Sequence, residues 1–373
     1  NLKHTINVYN TECHRIQSLL KDTPTQDVGD LVNNDPTKIS WTRALKNDLK
    51  KNKELVFDKK SLYISTYRPF TKSWMYFNRR LNEMVYQIPQ IFPTSDTENL
   101  MISITGRGST KEFSVLIANQ VMDLECISKG QCFPLYLYDD NMTEEKEIDL
   151  FSQAEKKSID NHFTRNDAIS DIGLKHFQDA YPNETINKED IFYYVYGLLH
   201  SEDYRSRYAD NLTKELPRIP CVKKSEDFWA FSKAGRDLAH WHLNYETVEP
   251  YKAKLDLGGK SLKQLEDKDF YVTKMKFPKK DQKDTVIYNN AITIREIPLE
   301  AYDYVVNGKS ALEWVMERQG VSTHKDSGIV NDANDWAIET MGDAKYPLNL
   351  FLRVITVSLE TMKIVRSLPK LDI

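Results

Sequence analysis

The sequence predicts an α+β fold, a β-rich part with hairpin loops braced by helical segments, and three observations carry that reading. Short apolar or alternating runs crowd residues 62 to 138, helical stripes occupy both the first 20 residues and residues 186 to 245, and a strand pattern returns after Gly258-Gly259. At 373 residues, 40% hydrophobic and 28% charged, the chain can bury one large or two modest cores, and its 13 Gly and 14 Pro argue against a disordered or fibrous class.

Ile6, Tyr9, Cys13, Ile16 and Leu20 recur at spacings of three and four, the stripe of an amphipathic helix. Pro24, Gly29 and Pro36 interrupt it, and Trp41 to Leu55 reads as a second, Lys-rich helix. Strands are expected at Leu62 to Tyr67, Trp74 to Phe77, Leu100 to Thr105, Phe113 to Ala118 and Phe133 to Tyr138, between Pro and Gly turns. An acidic surface loop over 139 to 160 leads into helices at Ile186 to His200 and Glu226 to Tyr245. Phe270 to Phe277 and Thr285 to Ile294 read as a hairpin with the basic tip Lys279 to Lys283, and helices over Ser310 to Arg318 and Leu348 to Leu368 close the chain. The expected divisions are a helical connector at 1–58 and a larger unit at 59–373, which is β-rich over 59–140, mainly helical over 141–250, and hairpin plus helices over 260–373.

No apolar run reaches the roughly 20 residues that span a bilayer, and the start lacks a signal-peptide core, so a cytoplasmic protein is expected. Cys13, Cys126, Cys132 and Cys221 form no C-x-x-C pair and read as reduced core thiols. The net charge of −4 does not itself indicate a nucleic-acid partner, but the charges are sorted. Residues 50 to 80 hold nine Lys or Arg against two acids, whereas 139 to 160 hold three basic against eight acidic residues.

Motifs for chemistry fail on inspection. Gly308-Lys309-Ser310 resembles the end of a phosphate-binding loop, but the required glycine is Asp303, so Asn307-Gly308 reads as a turn that starts a helix. His240 and His242 lie two apart on a helix and point to nearly opposite sides, so they cannot share an ion. No Ser-His-Asp order, nuclease-type carboxylate and lysine cluster or Asn-Pro-Pro-Tyr motif stands out, and no catalytic or metal site is assigned. Thr105 to Lys111 is a Gly-rich loop between two expected strands. It is a plain hairpin tip or a loop whose backbone N–H groups and Arg107 approach a nucleic acid.

Several strings in order carry a family resemblance: Tyr67-Arg68-Pro69-Phe70 with Tyr76-Phe77, Gln131 to Tyr136, Asp190 to His200, Leu216 to Pro220, Asn307 to Ala311, and Ser327 to Asp332. Together they resemble the C-terminal part of the Type I single-polypeptide (Type ISP) restriction-modification enzymes. In that family a nuclease, a helicase-like ATPase and an N6-adenine methyltransferase precede a target-recognition domain, and only the last corresponds to this chain. The resemblance implies double-stranded DNA and the methyltransferase domain of the same polypeptide as partners. It also implies that S-adenosylmethionine, ATP and Mg²⁺ serve the parent enzyme, with no cofactor in this segment.

Loop position and chemistry nominate Lys72, Arg79, Arg80, Lys111, Lys279 and Lys280 for phosphates, and Arg107, Ser109, Asn289 and Asn290 for base edges. The Tyr67 to Phe70 string is expected to pack, its arginine bracing a carboxylate, and Leu216 to Pro220 and the Phe192 to Tyr196 stripe read as core. A docking scaffold and an independent metal-dependent nuclease are the competing readings.

Overall fold

A computed structural model describes residues 2–22, 25–141 and 163–373; beyond its first three residues, the acidic stretch at 139–160 lies outside them. The first helix, α1 (Leu2–Asp22), buries Ile6, Tyr9, Cys13 and Ile16 as its spacing predicts. It packs with α2 (Val28–Leu31) and α3 (Arg43–Lys50), whose N-termini are capped by Asp27 and Thr42. The expected second helix is shorter than its pattern because Asn52, just after the cap, adopts φ +52° and turns the chain back onto α1. The three helices enclose a core of their own, with Val32, Ile39 and Leu55. Phe57 joins this unit to the sheets by stacking on Tyr76, with centroids 5.8 Å apart.

Strands β1 (Leu62–Arg68) and β2 (Thr71–Tyr76) form a hairpin turned at Pro69-Phe70. Phe70 tolerates φ +56° because its ring is buried edge-on against Tyr245. As expected, Arg68 pairs with a carboxylate, Asp123. A short helix, α4 (Ile88–Ile91), precedes β3 (Met101–Ile104), which lies between β4 (Val115–Ala118) and β5 (Gln131–Pro134) in an antiparallel sheet. All residues of β3 and β4 are buried. Their alternate side chains enter two different cores: Met101, Leu116 and Ala118 face one, while Ile102, Ile104, Val115 and Ile117 face the other. The single strand expected at 133–138 is two, because Leu135 breaks the run. Beyond it β6 (Tyr136–Asp140) leaves the sheet to pair with β7 (Phe163–Asp167).

The second core is helical: α5 (Asp171–Ala180), α6 (Lys188–Leu198), α7 (Glu202–Arg207), α8 (Ala209–Leu212) and α9 (Ser225–Leu243). Helices α6 and α9 touch backbone to backbone: a Cβ on Gly197 would stand 2.1 Å from the Phe231 carbonyl oxygen, and one on Gly235 1.8 Å from that of Tyr193. Phe192, Tyr194 and Tyr196 are buried as expected, Tyr194 stacking on Phe228 at 4.8 Å.

The C-terminal part departs most from expectation. Residues 270–277 are not a strand; Lys276 makes an isolated bridge to Ile287, and the three-stranded sheet is β8 (Lys254–Asp256), β10 (Thr293–Arg295) and β9 (Val286–Ile287) in that order. Asn307 and Gly308, at φ +51° and +81°, turn β11 (Val305–Val306) into β12 (Lys309–Ser310), and Ser310 with Glu313 makes the capping box that starts α10 (Ala311–Arg318). The hairpin β13 (Val321–Thr323) and β14 (Val330–Asp332) runs into α11 (Ala333–Asp335), a π-helical turn at Trp336–Thr340 and the long α12 (Tyr346–Ser367). Among the described residues no helix is long and apolar enough to cross a membrane.

Candidate nucleic-acid interface

A cleft of about 1740 Å³ opens between the β1–β2 hairpin, the loop over 81–88, the 121–133 segment and the stretch from Glu317 to Thr340. Its floor is set by backbone pairing: Asp123 N–H donates to the Thr66 carbonyl at 2.9 Å and Thr66 N–H to Val121 at 2.8 Å, placing Tyr67 beside Asp123. Arg318, at the end of α10, lies 6.0 Å from the Tyr67 ring centroid and 5.8 Å from that of Trp314. On one wall Trp74 donates its indole N–H to the Thr340 hydroxyl at 3.1 Å, so β2 is latched to the π-helical turn, a rare element that concentrates at functional sites.

The lining is mixed in character. Lys129 and His324 bring basic groups, Gln131, Gln319 and Asn331 bring amides, and Met84, Tyr86, Leu124 and Phe133 leave large apolar surface exposed. Four buried polar atoms on lining residues, Gln131 Oε1, Arg318 Nε, Gln319 Oε1 and Trp336 Nε1, make no hydrogen bond among the described residues. Burial raises the Cys132 thiol pKa and so disfavours the thiolate, an effect partly offset by a hydrogen bond from Ser103.

Of the ten residues nominated from the sequence, Lys72 alone lines the cleft, and it pairs with Glu246 beneath the Tyr245 ring. Arg80 is a brace too, donating to Asp48 at 2.7 Å and to the carbonyls of Glu54 and Lys53 at 2.6 and 2.9 Å. Asn289 is a strut: its amide donates to the Asp269 and Tyr271 carbonyls and its oxygen accepts from Ala291 and Ile292 N–H. All three side chains thus carry contacts within the fold.

Arg79, Arg107 and Lys111 are exposed, and their side chains make no hydrogen bond or ion pair among the described residues. The Gly-rich tip sits at the cleft rim: Lys129 Nζ donates to the Gly108 carbonyl at 2.7 Å, and Gly106 presses on the Lys129 backbone so closely that a Cβ would lie 1.8 Å from its oxygen. In that tip Ser109 Oγ accepts from Lys111 N–H at 2.9 Å. Lys279, Lys280 and Asn290 are exposed but lie outside the cleft lining.

Sequence reasoning missed Lys129, Gln131, Arg318 and the Trp74 wall. The signal was present in the quoted strings, since Tyr67, Gln131 to Phe133 and Ile329 to Asp332 all line the cleft. Leu216, expected in the core, is instead 41% exposed on the cleft edge. His240 is exposed and His242 buried, in keeping with their opposite directions. Among the described residues no group of three or more His, Cys, Asp or Glu gathers where it could hold a metal.

Comparison with known proteins gives a consistent answer. No curated protein sequence matches the chain. Among solved structures the chain is similar to an ATP-dependent Type ISP restriction-modification enzyme, LlaBIII, bound to DNA, at 34% identity and TM-score 0.82 over 100% of this chain and 22% of that one. It is similar to a nuclease-deletion mutant of the Type ISP enzyme LlaGI in complex with a DNA substrate mimic, at 35% identity and TM-score 0.81 over 100% of this chain and 31% of that one. It is also similar to DrdV in a DNA complex, at 32% identity and TM-score 0.77 over 99% of this chain and 33% of that one. The chain thus spans a third or less of the chains it matches. The family model described as the Type ISP C-terminal specificity domain matches residues 1–350, and the chain belongs to that family.

Proposed function

We propose that this specificity domain reads double-stranded DNA in the cleft, with Gln131 and Arg318 contacting base edges and Lys129 a phosphate. The observation that carries the reading is the set of unpartnered buried polar atoms on the lining. A buried donor or acceptor left unpaired costs about 1–3 kcal/mol, so such atoms gathered in one cleft are suited to a ligand that supplies the missing bonds. Gln and Arg are the residue types that pair bidentately with adenine and guanine, and both line the cleft, the Arg318 guanidinium beside Glu317 at 2.9 Å. Lys129 is exposed, and its carbonyl contact to Gly108 leaves two of its three N–H donors for a phosphate. Arg107, Ser109 and Lys111 extend the same basic rim, and Arg79 the opposite one.

On this reading the domain presents a cytoplasmic DNA target to the other parts of a larger polypeptide. Those parts supply adenine methylation with S-adenosylmethionine, ATP-driven translocation and Mg²⁺-dependent cleavage, while the segment itself carries out none of these reactions. Residues 1–58 connect it to the methyltransferase domain, and 59–373 form the recognition unit. The test is a pair of substitutions. Gln131→Ala should weaken cognate binding by about 1–3 kcal/mol and leave random-duplex binding unchanged. Lys129→Ala should weaken both alike and reduce the salt slope by about one. Equal losses on cognate and random DNA for Gln131→Ala would remove it from base reading.

A further inference from the structure

The loop leading to α4 carries two large apolar side chains that point at no protein partner. Met84 is 70% exposed and Tyr86 75% exposed, both line the cleft, and both backbones sit in the left-handed region, at φ 55° and 46°. Such conformations are unfavourable for side chains of this size and persist where the surroundings impose them. Here the surroundings are the N-terminal helices. Arg80 holds the start of the loop to Asp48 of α3, and Glu83 Oε1 accepts from Ala44 N–H in the first turn of α3 at 3.3 Å. Asn82 donates to the Tyr76 and Asn78 carbonyls at 2.8 and 3.0 Å, and Ile88 N–H closes the far side onto Val85 at 3.0 Å. An exposed tip on an anchored base is the form of an inserting element.

We propose that Met84 and Tyr86 form an apolar wedge that enters the base stack of bound duplex DNA at one step, an inference that rests on the placement of DNA in this cleft. A thioether on an unbranched chain slides between base pairs, as apolar wedges do where proteins kink DNA, and a phenol ring stacks on an unstacked base. The charges on the loop itself suit DNA. Arg79 is exposed at the foot of the loop, and the loop's own acid, Glu83, is turned onto the α3 N-terminus, while the other carboxylates of the cleft, Asp123, Glu125, Glu317, Asp332, Asp335 and Glu339, belong to the segments at 121–133 and 317–340. The helical unit at 1–58 thereby gains a function within recognition, as the bracket that stiffens the wedge.

The test uses the full-length protein and a duplex it selects from a random pool, remade with 2-aminopurine at each position in turn. Wild type should raise the fluorescence several-fold at one step. The Met84→Ala, Tyr86→Ala double variant should return that signal to the free-duplex value and weaken binding roughly tenfold. Its salt slope and thermal midpoint should match wild type, since neither side chain is charged or buried. Met84→Leu with Tyr86→Phe, which keeps an apolar tip, should retain the signal.

A double variant with full fluorescence and full affinity overturns the wedge. Protection of 82–87 from hydrogen exchange in the DNA-free full-length protein overturns it in favour of protein docking. If Lys129→Ala alters neither affinity nor salt slope, the placement of DNA in the cleft falls, and the wedge with it.

Discussion

Lowering the pH from 7 to 5 should cost the fold at least about 2 kcal/mol through the buried His242, with the buried His200 acting in the same direction. Tyr196 Oη accepts from Ile117 N–H at 3.1 Å and meets His242 Nδ1 at 2.6 Å, while His242 Nε2 meets the Thr361 hydroxyl at 2.9 Å. The chain is satisfied when Tyr196 donates to a neutral His242, which donates onward to Thr361, tying β4, α6, α9 and α12 together. His200 stands 5.5 Å from the His242 ring, its Nδ1 2.8 Å from the Tyr196 carbonyl and its Nε2 unpartnered. Burial lowers the His242 pKa to about 3 and holds His200 well below the usual histidine range, with Arg205 and His242 adding to the effect on His200.

The folded state therefore keeps both rings neutral while the unfolded chain takes up protons below pH 6.5. With folded pKa values depressed, the stability is fully present above that pH and falls as the pH drops toward the folded values. At about 1.4 kcal/mol per pH unit, His242 loses about 2 kcal/mol by pH 5, a large part of a typical 5–15 kcal/mol stability, and His200 acts in the same direction. The assay is urea unfolding at both pH values for wild type and His242→Phe. The variant should be less stable at pH 7, since it leaves Thr361 unpaired, but should lose about 2 kcal/mol less than wild type on acidification. An identical pH dependence in both proteins would refute the reasoning.

Other expected outcomes follow from the same structure. Gly235→Ala should destabilise by about 3 kcal/mol or more, because its methyl would stand 1.8 Å from the Tyr193 carbonyl and force α6 and α9 apart; the midpoint of thermal unfolding measures it. Arg107→Ala should cost about 1–3 kcal/mol on the cognate duplex only if it reads a guanine, and competition binding against random duplex separates that outcome from a phosphate contact. Changing Lys279 and Lys280 together to Ala should weaken cognate and random binding by similar factors and lower the salt slope, and an unchanged slope would place both outside the DNA footprint.

Local signals determined a good deal. The period of Ile6, Tyr9, Cys13 and Ile16 placed α1, the apolar runs placed β1 to β4, and the ordered strings identified the family, because periodicity and short motifs are properties of neighbouring residues. What failed was long-range. Residues 270–277 alternate like a strand, yet the edge they face offers only the Lys276–Ile287 bridge, and pairing depends on a partner that no local pattern encodes. The contacts of Lys72 and Arg80 within the fold were not legible either, because their partners are distant in sequence: Glu246 lies 174 residues from Lys72, and Asp48 lies 32 from Arg80. Only the tertiary structure decided which polar groups the fold itself consumes. It alone brought Gln131, Arg318 and the Met84–Tyr86 tip to one cleft, since a hydrogen bond is a matter of position in space and composition carries no information about it.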